Sequence, residues 1–275
     1  MNCQMGSLVL CLCLIFVILL SHSTSMAPEV DDEREFDYVE GSKKGPKHWG
    51  SIKKEWEACN YGRLQSPIDL SISEAGAALG PLKLSYSPTN VILKNRGHDI
   101  AIQWEENAGT LDVNGIVYSL KQTHWHSPSE HTIDGKRYDM ELHQVYVSQD
   151  HNLENKIIVI GVLYELGYHD EFLSKLSNDI ESMKDKVEQR NIGQLSPADV
   201  KFSGTQYFNY VGSLTVPPCT EGVLWVVFDS IMTVSTQQIN LLREAVHDHY
   251  AMNARPVQPR HPRHFNGSSP MELIN

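Results

Sequence analysis

Residues 122–143 constrain the fold most tightly, because they have the pattern of two strands joined by a short turn. Alternate side chains of a strand share a face, so His124 and His126 point to the same side of a sheet, about 6 to 7 Å apart. Asp134-Gly135 predicts a two-residue hairpin turn. With that turn the second strand returns antiparallel, and we expect His143 to lie directly across from His126 on the same face.

Three imidazoles on one face predict a metal site. Catalytic zinc is bound by three protein ligands, with the fourth tetrahedral position open to water. Gln122 shares the face of His124, and Glu141 shares the face of His143, so each is predicted to accept the ring N–H that does not coordinate the metal. The alternative is that these are surface histidines on a half-exposed strand.

The remaining histidines fit a metal site less well. His247 and His249 repeat the H-x-H spacing, but on a predicted helix they project about 200° apart. His261 and His264 lie in a stretch rich in proline and arginine and are predicted to be exposed in a loop. His131 is interpreted as a hydrogen-bonded structural histidine.

Strand patterns dominate the rest of the chain, which contains no fixed-period repeat. Residues 99–104 alternate, residues 111–118 turn over at Asn114-Gly115, and two nearly continuous apolar runs predict central strands. These runs are residues 157–164 and 223–228. Apolar side chains at helical spacing predict helices over 170–189 and 235–250, the second beginning with the capping-box pair Ser235 and Gln238. We expect a mainly β (α+β) fold in a single domain, residues 47–275, with the helices at the edge or on a face of the sheet.

The amino-terminal region differs from the rest in composition. Residues 8–20 form an uncharged apolar run that would make a helix of about 20 Å, shorter than the roughly 30 Å hydrocarbon core. Small residues follow, so residues 1–25 are predicted to be a secretory signal peptide. Residues 29–40 contain seven acids, and residues 26–46 are predicted to be an acidic, mobile leader. No later run is long and apolar enough to span a membrane, and the net charge of −11 argues against a nucleic-acid partner.

Secretion makes the cysteines informative. Three of the five lie in the predicted signal peptide, so the mature chain keeps Cys59 and Cys219. Two cysteines in an oxidising compartment predict one disulfide, the alternative being two free thiols. Asn266 begins a glycosylation sequon. The sequence leaves open whether secretion ends outside the cell, in a vacuole or in a plastid, and whether the chain forms a homodimer.

Several motifs together resemble those of the α-class carbonic anhydrases of the secreted plant type. They are the HWHSPSEHT block with the later ELH, residues 213–219 (SLTVPPC), residues 65–67 (QSP), residues 97–98 (GH) and residues 253–256 (NARP). The resemblance runs from about Trp49 to Phe265. It implies a large twisted, mostly antiparallel sheet of about ten strands with a few peripheral helices and zinc at the bottom of a conical cleft. It also implies a lyase that reversibly hydrates carbon dioxide to bicarbonate through a zinc-bound hydroxide.

The resemblance also implies a role for each matching residue. His124, His126 and His143 match the zinc ligands. Thr215 matches a gatekeeper hydroxyl and Glu130 the carboxylate that accepts its proton. Five residues match the apolar wall where carbon dioxide rests: Val145, Val159, Leu214, Val223 and Trp225. Cys59 and Cys219 match the disulfide of extracellular members. A second function remains open, that of a secreted storage or binding protein on the same scaffold with little or no turnover.

Proton transfer is the step on which this sequence departs from the family pattern. His98 matches the proton shuttle, and after Gly97 its side chain is expected to swing freely in the cleft. Arg96 and Ala101 replace asparagines common in relatives, and we expect the Arg96 cation to lower the proton affinity of His98. Ser51 is interpreted as replacing a tyrosine near the entrance, and the residue after Thr215 is a valine.

Overall fold

The computed structural model describes residues 35–72, 82–150, 152–153, 155–202, 206–247 and 250–261, and the backbone of strands 265–266 and 272–273. The predicted signal peptide and the leader up to residue 34 lie outside the described residues. The helices are α1 (Trp49–Ile52), α2 (Ala58–Tyr61), α3 (Glu171–Ser182) and α4 (Thr236–Ala245), with 3₁₀ turns at Lys54–Trp56 and Pro197–Asp199. The strands are β1 (Asp69–Leu70), β2 (Lys83–Tyr86), β3 (Thr89–Asn95), β4 (Ile100–Trp104), β5 (Gly109–Val113), β6 (Ile116–His126), β7 (Thr132–Ile133), β8 (Lys136–Arg137), β9 (Met140–Ser148), β10 (Ile157–Leu166), β11 (Glu188–Leu195), β12 (Tyr207–Ser213), β13 (Glu221–Val234), β14 (Phe265–Asn266) and β15 (Glu272–Leu273).

One large mixed sheet organises the described part of the chain and confirms the predicted mainly β fold. Nine of its twelve described strands follow the order β11-β3-β4-β6-β9-β10-β13-β12-β14. The other three form a branch in which β5 pairs with β6, β2 pairs with β5, and β15 pairs with β2. Most neighbours are antiparallel, whereas β10 pairs with β13 and β15 pairs with β2 in parallel. A separate sheet of three short strands joins β1, β7 and β8.

The predicted central strands are confirmed in β10 and β13. On β10, Ile158, Ile160 and Val162 belong to one buried cluster, and Ile157 and Val159 belong to another. Successive side chains point to opposite faces, so a strand buried on both sides must be apolar at nearly every position. The strands next to β10 therefore lie deep in the protein, and β9 is one of them.

Both predicted helices exist but are shorter than the apolar pattern indicated. Helix α3 ends at Ser182, and Asp185 has a φ of +55°, which stops the helix before the predicted end at residue 189. The following segment instead pairs with β3 as strand β11. Helix α4 begins with the predicted capping box at Ser235 but ends at Ala245, five residues early. Among the described residues, none of the helices has the length and apolar character needed to cross a bilayer.

Residues 35–46, which the sequence assigns to a mobile leader, are packed against the domain. Phe36 is completely buried, and its ring meets that of Trp49 edge-on at 5.4 Å between centroids. The indole N–H of Trp49 donates to the carbonyls of Asp37 and Lys44. This corrects the predicted leader for these residues, because an aromatic anchor outweighs the acidic character of the segment.

The two remaining cysteines form the disulfide that the sequence predicted. Cys59 in α2 is bonded to Cys219, 160 positions later in the chain, with 5.0 Å between their Cα atoms. Cys219 belongs to the segment between β12 and β13 that also carries Leu214 and Thr215. The disulfide therefore ties this segment to the amino-terminal part of the domain.

Candidate active site

The three predicted metal ligands lie together on adjacent strands at the centre of the sheet. His124 and His126 are on β6, and His143 is on the neighbouring strand β9. Their ring centroids are 4.7 to 5.1 Å apart, and one ring nitrogen from each lies within 4.8 Å of the others. Each residue is at most 3% exposed. The fold therefore gathers three imidazoles into one buried cluster.

The pairing of the two strands differs from the predicted register by two residues. His143 lies opposite His124, and His126 lies opposite Glu141. The predicted turn is present, with Ile133 paired to Lys136, but five residues separate β6 from β7 whereas only two separate β8 from β9. A shift of two preserves the face of every side chain, so the three rings still converge.

Two ring nitrogens of the cluster have hydrogen-bond partners outside it, which bears on which ring nitrogens could bind a metal. Nδ1 of His126 is 2.8 Å from the backbone carbonyl oxygen of Asn253, and Nε2 of His143 donates to Glu141 over 2.8 Å. Nε2 of His126 is buried and has no hydrogen-bond partner among the described residues. Nδ1 of His143 lies 3.2 Å from Nε2 of His124. Two ring nitrogens this close share either a proton or a cation, so the cluster fits a bound dication, and a set of three imidazoles suits zinc.

Burial also bears on the protonation of these rings. It lowers the pKa of His124, and the neighbouring histidines lower it further. Burial likewise lowers the pKa of His143, although Glu141 opposes this effect. For His126 burial is outweighed by the Glu130 carboxylate and the Asn253 carbonyl, and the pKa is raised. Two of the three rings are thus held in the neutral form that a metal ligand requires.

Glu141 connects the ligand cluster to the loop that follows β6. One carboxylate oxygen accepts hydrogen bonds from His143 and from Nδ1 of His131, and the other accepts from the backbone N–H groups of Glu130 and His131. His131 and His143 outweigh the effect of burial and hold the pKa of Glu141 well below its usual range. His131 also contacts the Tyr210 hydroxyl at 2.6 Å, so both of its ring nitrogens have hydrogen-bond partners.

Glu130 is buried beside the cluster with one oxygen available. Its Oε1 accepts the backbone N–H of Arg255 at 2.9 Å. Its Oε2 lies 3.6 Å from Nε2 of His126 and accepts no hydrogen bond from any described residue. Thr215 is also buried, at 4% exposure, in the segment between β12 and β13. Of the two acceptors predicted for the ligand rings, Glu141 contacts His143. Gln122 is half-buried on β6, two residues before His124.

The residues of the predicted apolar wall all belong to one buried cluster. This cluster contains Val145, Val159, Leu214, Val223 and Trp225. Val145 is two residues beyond His143 on β9 and pairs with Val159, which in turn pairs with Trp225. The Trp225 ring centroid is 4.8 Å from that of His143. An apolar surface therefore begins directly beside the ligand cluster.

His98 is in a different environment from the one the sequence indicated. Its side chain is 0% exposed, between the rings of Phe36 and Tyr250 at 5.3 and 6.3 Å. The predicted freedom to swing is therefore wrong for this structure, because the amino-terminal segment covers the ring. Arg96, predicted to act as a cation beside His98, donates two hydrogen bonds to the Asp99 carboxylate.

Three other residues were predicted to depart from the family pattern, namely Ala101, Val216 and Ser51. Ala101 is fully buried on β4 and pairs with His124. Val216 is buried, and Ser51 is exposed on α1.

Two functional contacts were missed from the sequence, namely the Asn253 carbonyl and the Tyr210 hydroxyl. Neither gives a local pattern, since each is brought to its histidine by the tertiary fold. Of the histidines set aside, His247 lies beyond the end of α4 and His261 is exposed as predicted. His249 and His264 lie outside the described residues.

Comparisons with known proteins agree with this arrangement. Residues 44–268 match the family described as eukaryotic-type carbonic anhydrase. The chain is 47% identical over 247 residues to carbonic anhydrase Nec1 of Nesocodon mauritianus, covering 89% of this chain and 90% of that protein. It is 44% identical over 250 residues to alpha carbonic anhydrase 7 of Arabidopsis thaliana, with 90% of each covered.

Solved structures show the same likeness. Dioscorin complexed with ascorbate has a TM-score of 0.81 and 38% identity, covering 86% of this chain and 99% of that one. The alpha-carbonic anhydrase from Thermovibrio ammonificans in complex with sulfanilamide has a TM-score of 0.74 and 32% identity, covering 90% of this chain and 100% of that one.

Proposed function

The chain belongs to the eukaryotic-type carbonic anhydrase family, and we propose that it reversibly hydrates carbon dioxide with a zinc ion held by His124, His126 and His143. The observation that carries the proposal is the buried cluster of three ring nitrogens within 4.8 Å of one another. The buried, unpartnered Nε2 of His126 supports it, because such a polar atom is costly unless something binds it.

Zinc in such a site lowers the pKa of a bound water to about 7 and so supplies hydroxide at neutral pH. Glu130 and Thr215 are proposed to orient the nucleophile. An ionised carboxylate can only accept a hydrogen bond, so Oε2 of Glu130 would accept one from the hydroxyl of Thr215. The Thr215 oxygen is then left as an acceptor, which directs the lone pair of the nucleophile toward the substrate.

The apolar wall is proposed to hold carbon dioxide. This substrate is apolar and offers little to hydrogen-bond, so the surface formed by Val145, Val159 and Trp225 would bind it by proximity to the reacting centre. Bicarbonate is charged, and an apolar wall gives it no partner. The arrangement therefore favours release of the product.

Purified protein tests the proposal through a stopped-flow hydration assay combined with metal analysis. We expect about one zinc per chain and a rate that falls on chelation and returns when zinc is restored. A zinc-replete protein with no chelator-sensitive hydration would contradict the enzyme assignment.

That result would favour the second candidate, a storage or binding protein on the same scaffold with little turnover. The likeness to dioscorin, whose solved structure is complexed with ascorbate, is the observation that favours a binding function.

The proposed route to the site of action is the secretory pathway. Residues 1–25 would direct the chain there, and the Cys59–Cys219 disulfide is compatible with an oxidising compartment. We further propose that Asn266 carries a glycan. Expression in a secreting host should give a mature chain beginning near Met26, and Asn266→Gln should remove a mass shift that peptide N-glycosidase also removes.

A further inference from the structure

The position of His98 conflicts with the role it would have in the proposed reaction. A group that passes a proton to buffer must meet solvent, but the side chain of His98 is 0% exposed. Its burial is not caused by the large sheet alone. The Phe36 ring lies against it at 5.3 Å, and Phe36 belongs to the segment that precedes α1.

Hydrogen bonds, an ion pair and edge-on ring contacts with Trp49, Trp56 and Tyr250 attach the segment over His98. The Tyr250 hydroxyl donates to the backbone carbonyl of Phe36, and the Trp49 indole N–H donates to the carbonyl of Asp37. Lys53 and Glu35 form an ion pair, partly exposed, at 2.5 Å. Neither Phe36 nor Tyr38 belongs to a strand of the sheet. The segment can therefore move without breaking the hydrogen bonds between strands.

The ion pair between Arg96 and Asp99 lies beside His98. Nε2 of His98 lies 3.8 Å from Oδ1 of Asp99, and Asp99 accepts two hydrogen bonds from Arg96. On the opposite side the ring meets the aromatic rings of Phe36 and Tyr250. The rings of Phe36 and Tyr250 thus form one side of the enclosure around His98.

We propose that residues 35–38 form a cover over His98, and that Phe36 is a positioning residue that keeps the imidazole away from solvent until the cover opens. The inference rests on the proposed function and on the proton-shuttle role that the family resemblance implies for His98. Opening is a local event of the kind that limits turnover in many enzymes. It makes proton release depend on the amino-terminal segment, whereas hydration itself depends on the ligand cluster.

Chemical labelling tests the cover without any use of activity. Zinc-loaded protein is treated with diethyl pyrocarbonate, and labelling of each histidine is followed by peptide mass spectrometry, with exposed His169 and His261 as internal references. We expect wild-type His98 to react at least about tenfold more slowly than the references, and Phe36→Ala to remove most of this protection.

Two further variants control for a general loss of stability. Phe172→Ala removes a similarly buried ring that stacks on Trp104 and Trp125 rather than on His98, and it should leave His98 protected. Tyr250→Phe removes only the hydroxyl that holds the Phe36 carbonyl and should give partial exposure. This variant keeps the test decisive should Phe36→Ala fail to fold.

Kinetics then connects the cover to proton transfer. In weak buffer Phe36→Ala should raise kcat about threefold, because opening no longer limits proton release, and the double variant with His98→Ala should show no gain. Rapid labelling of His98 in the wild type, unchanged protection in Phe36→Ala and Tyr250→Phe, or a kinetic gain that persists without His98 would each overturn the proposal. If the wild type does not hydrate carbon dioxide even at saturating imidazole, the proposed function is refuted. The labelling result would still test whether residues 35–38 cover His98, because it does not depend on activity.

Discussion

The proposed metal ligands and the groups proposed to act with them are held by different kinds of structure. His124, His126 and His143 lie on β6 and β9 in the middle of the sheet. Backbone pairing fixes their positions, on both sides for His124 and His143 and on one side for His126. His98, Glu130 and Thr215 lie in the segments between strands, where contacts from distant parts of the chain fix them. We therefore expect metal binding to depend on the sheet, and proton transfer to depend on how the loops and the amino-terminal segment pack.

The largest effect is expected from removing a ligand on the sheet. His143→Ala should lose zinc and hydration together, because two imidazoles cannot complete a site that needs three protein ligands. Metal analysis and the stopped-flow assay measure both quantities on the same sample. His261→Ala, at an exposed histidine outside the cluster, should keep zinc and activity. A zinc-replete, active His143→Ala protein would refute the ligand assignment.

The same contrast explains how much the sequence could predict. The shared face of His124, His126 and His143 follows from the twofold repeat of a strand, and a register error of two residues did not disturb it. The burial of His98 could not be predicted in this way, because Phe36 and Tyr250 are respectively 62 and 152 positions away in the chain. The Asn253 carbonyl beside His126 escaped notice for the same reason.

The helix boundaries show a further limit of pattern reading. Val187 continues the apolar repeat of α3, yet it is 56% exposed and lies beyond the end of that helix. The backbone turns at Asp185, and β11 then pairs with the edge of the sheet. Pairing with a strand distant in sequence can outweigh a local helical pattern, and the sequence alone contains no sign of that partner.

The second prediction concerns the ion pair beside His98, which belongs to the loop region. Asp99→Asn should lower the free energy of unfolding by about 3 kcal/mol at pH 7, because Arg96 would remain buried without its partner. Burial raises the pKa of Asp99, but Arg96 and His98 outweigh it, and the net pKa lies well below the ordinary value. The carboxylate therefore stabilises the fold above its unfolded pKa of about 3.9, and this contribution is lost as the pH falls below that value.

Denaturant unfolding at several pH values measures this effect. The difference between wild type and Asp99→Asn should be largest near neutral pH and shrink below about pH 4. Glu40→Gln, at a highly exposed carboxylate paired with Lys47, should leave stability close to wild type. A difference that grew as the pH fell would contradict the assigned role of the pair.

The third prediction concerns Glu141, which joins the two regions. Its carboxylate contacts His143 on one side and the backbone of Glu130 and His131 on the other. Glu141→Gln should weaken zinc binding by about 10- to 100-fold, since the ligand ring loses its charged acceptor. Competition with a chelator measures the affinity. Glu165→Gln changes a half-exposed carboxylate on β10 and should bind zinc as the wild type does, whereas equal weakening in both variants would argue against the specific role of Glu141.

The smallest effect is expected from His98→Ala, which separates the two regions most directly. The ligand cluster remains intact, so zinc content and kcat/KM should stay near the wild-type values. Proton release follows the conversion of carbon dioxide, so kcat in weak buffer should fall by about tenfold or less. This effect is smaller than usual for general acid–base groups, because the cover already restricts His98. Added imidazole should restore the rate by carrying the proton itself. An unchanged kcat in weak buffer would contradict the shuttle role of His98. A fall in kcat/KM would show that the loop carrying His98 also affects hydration at the ligand cluster.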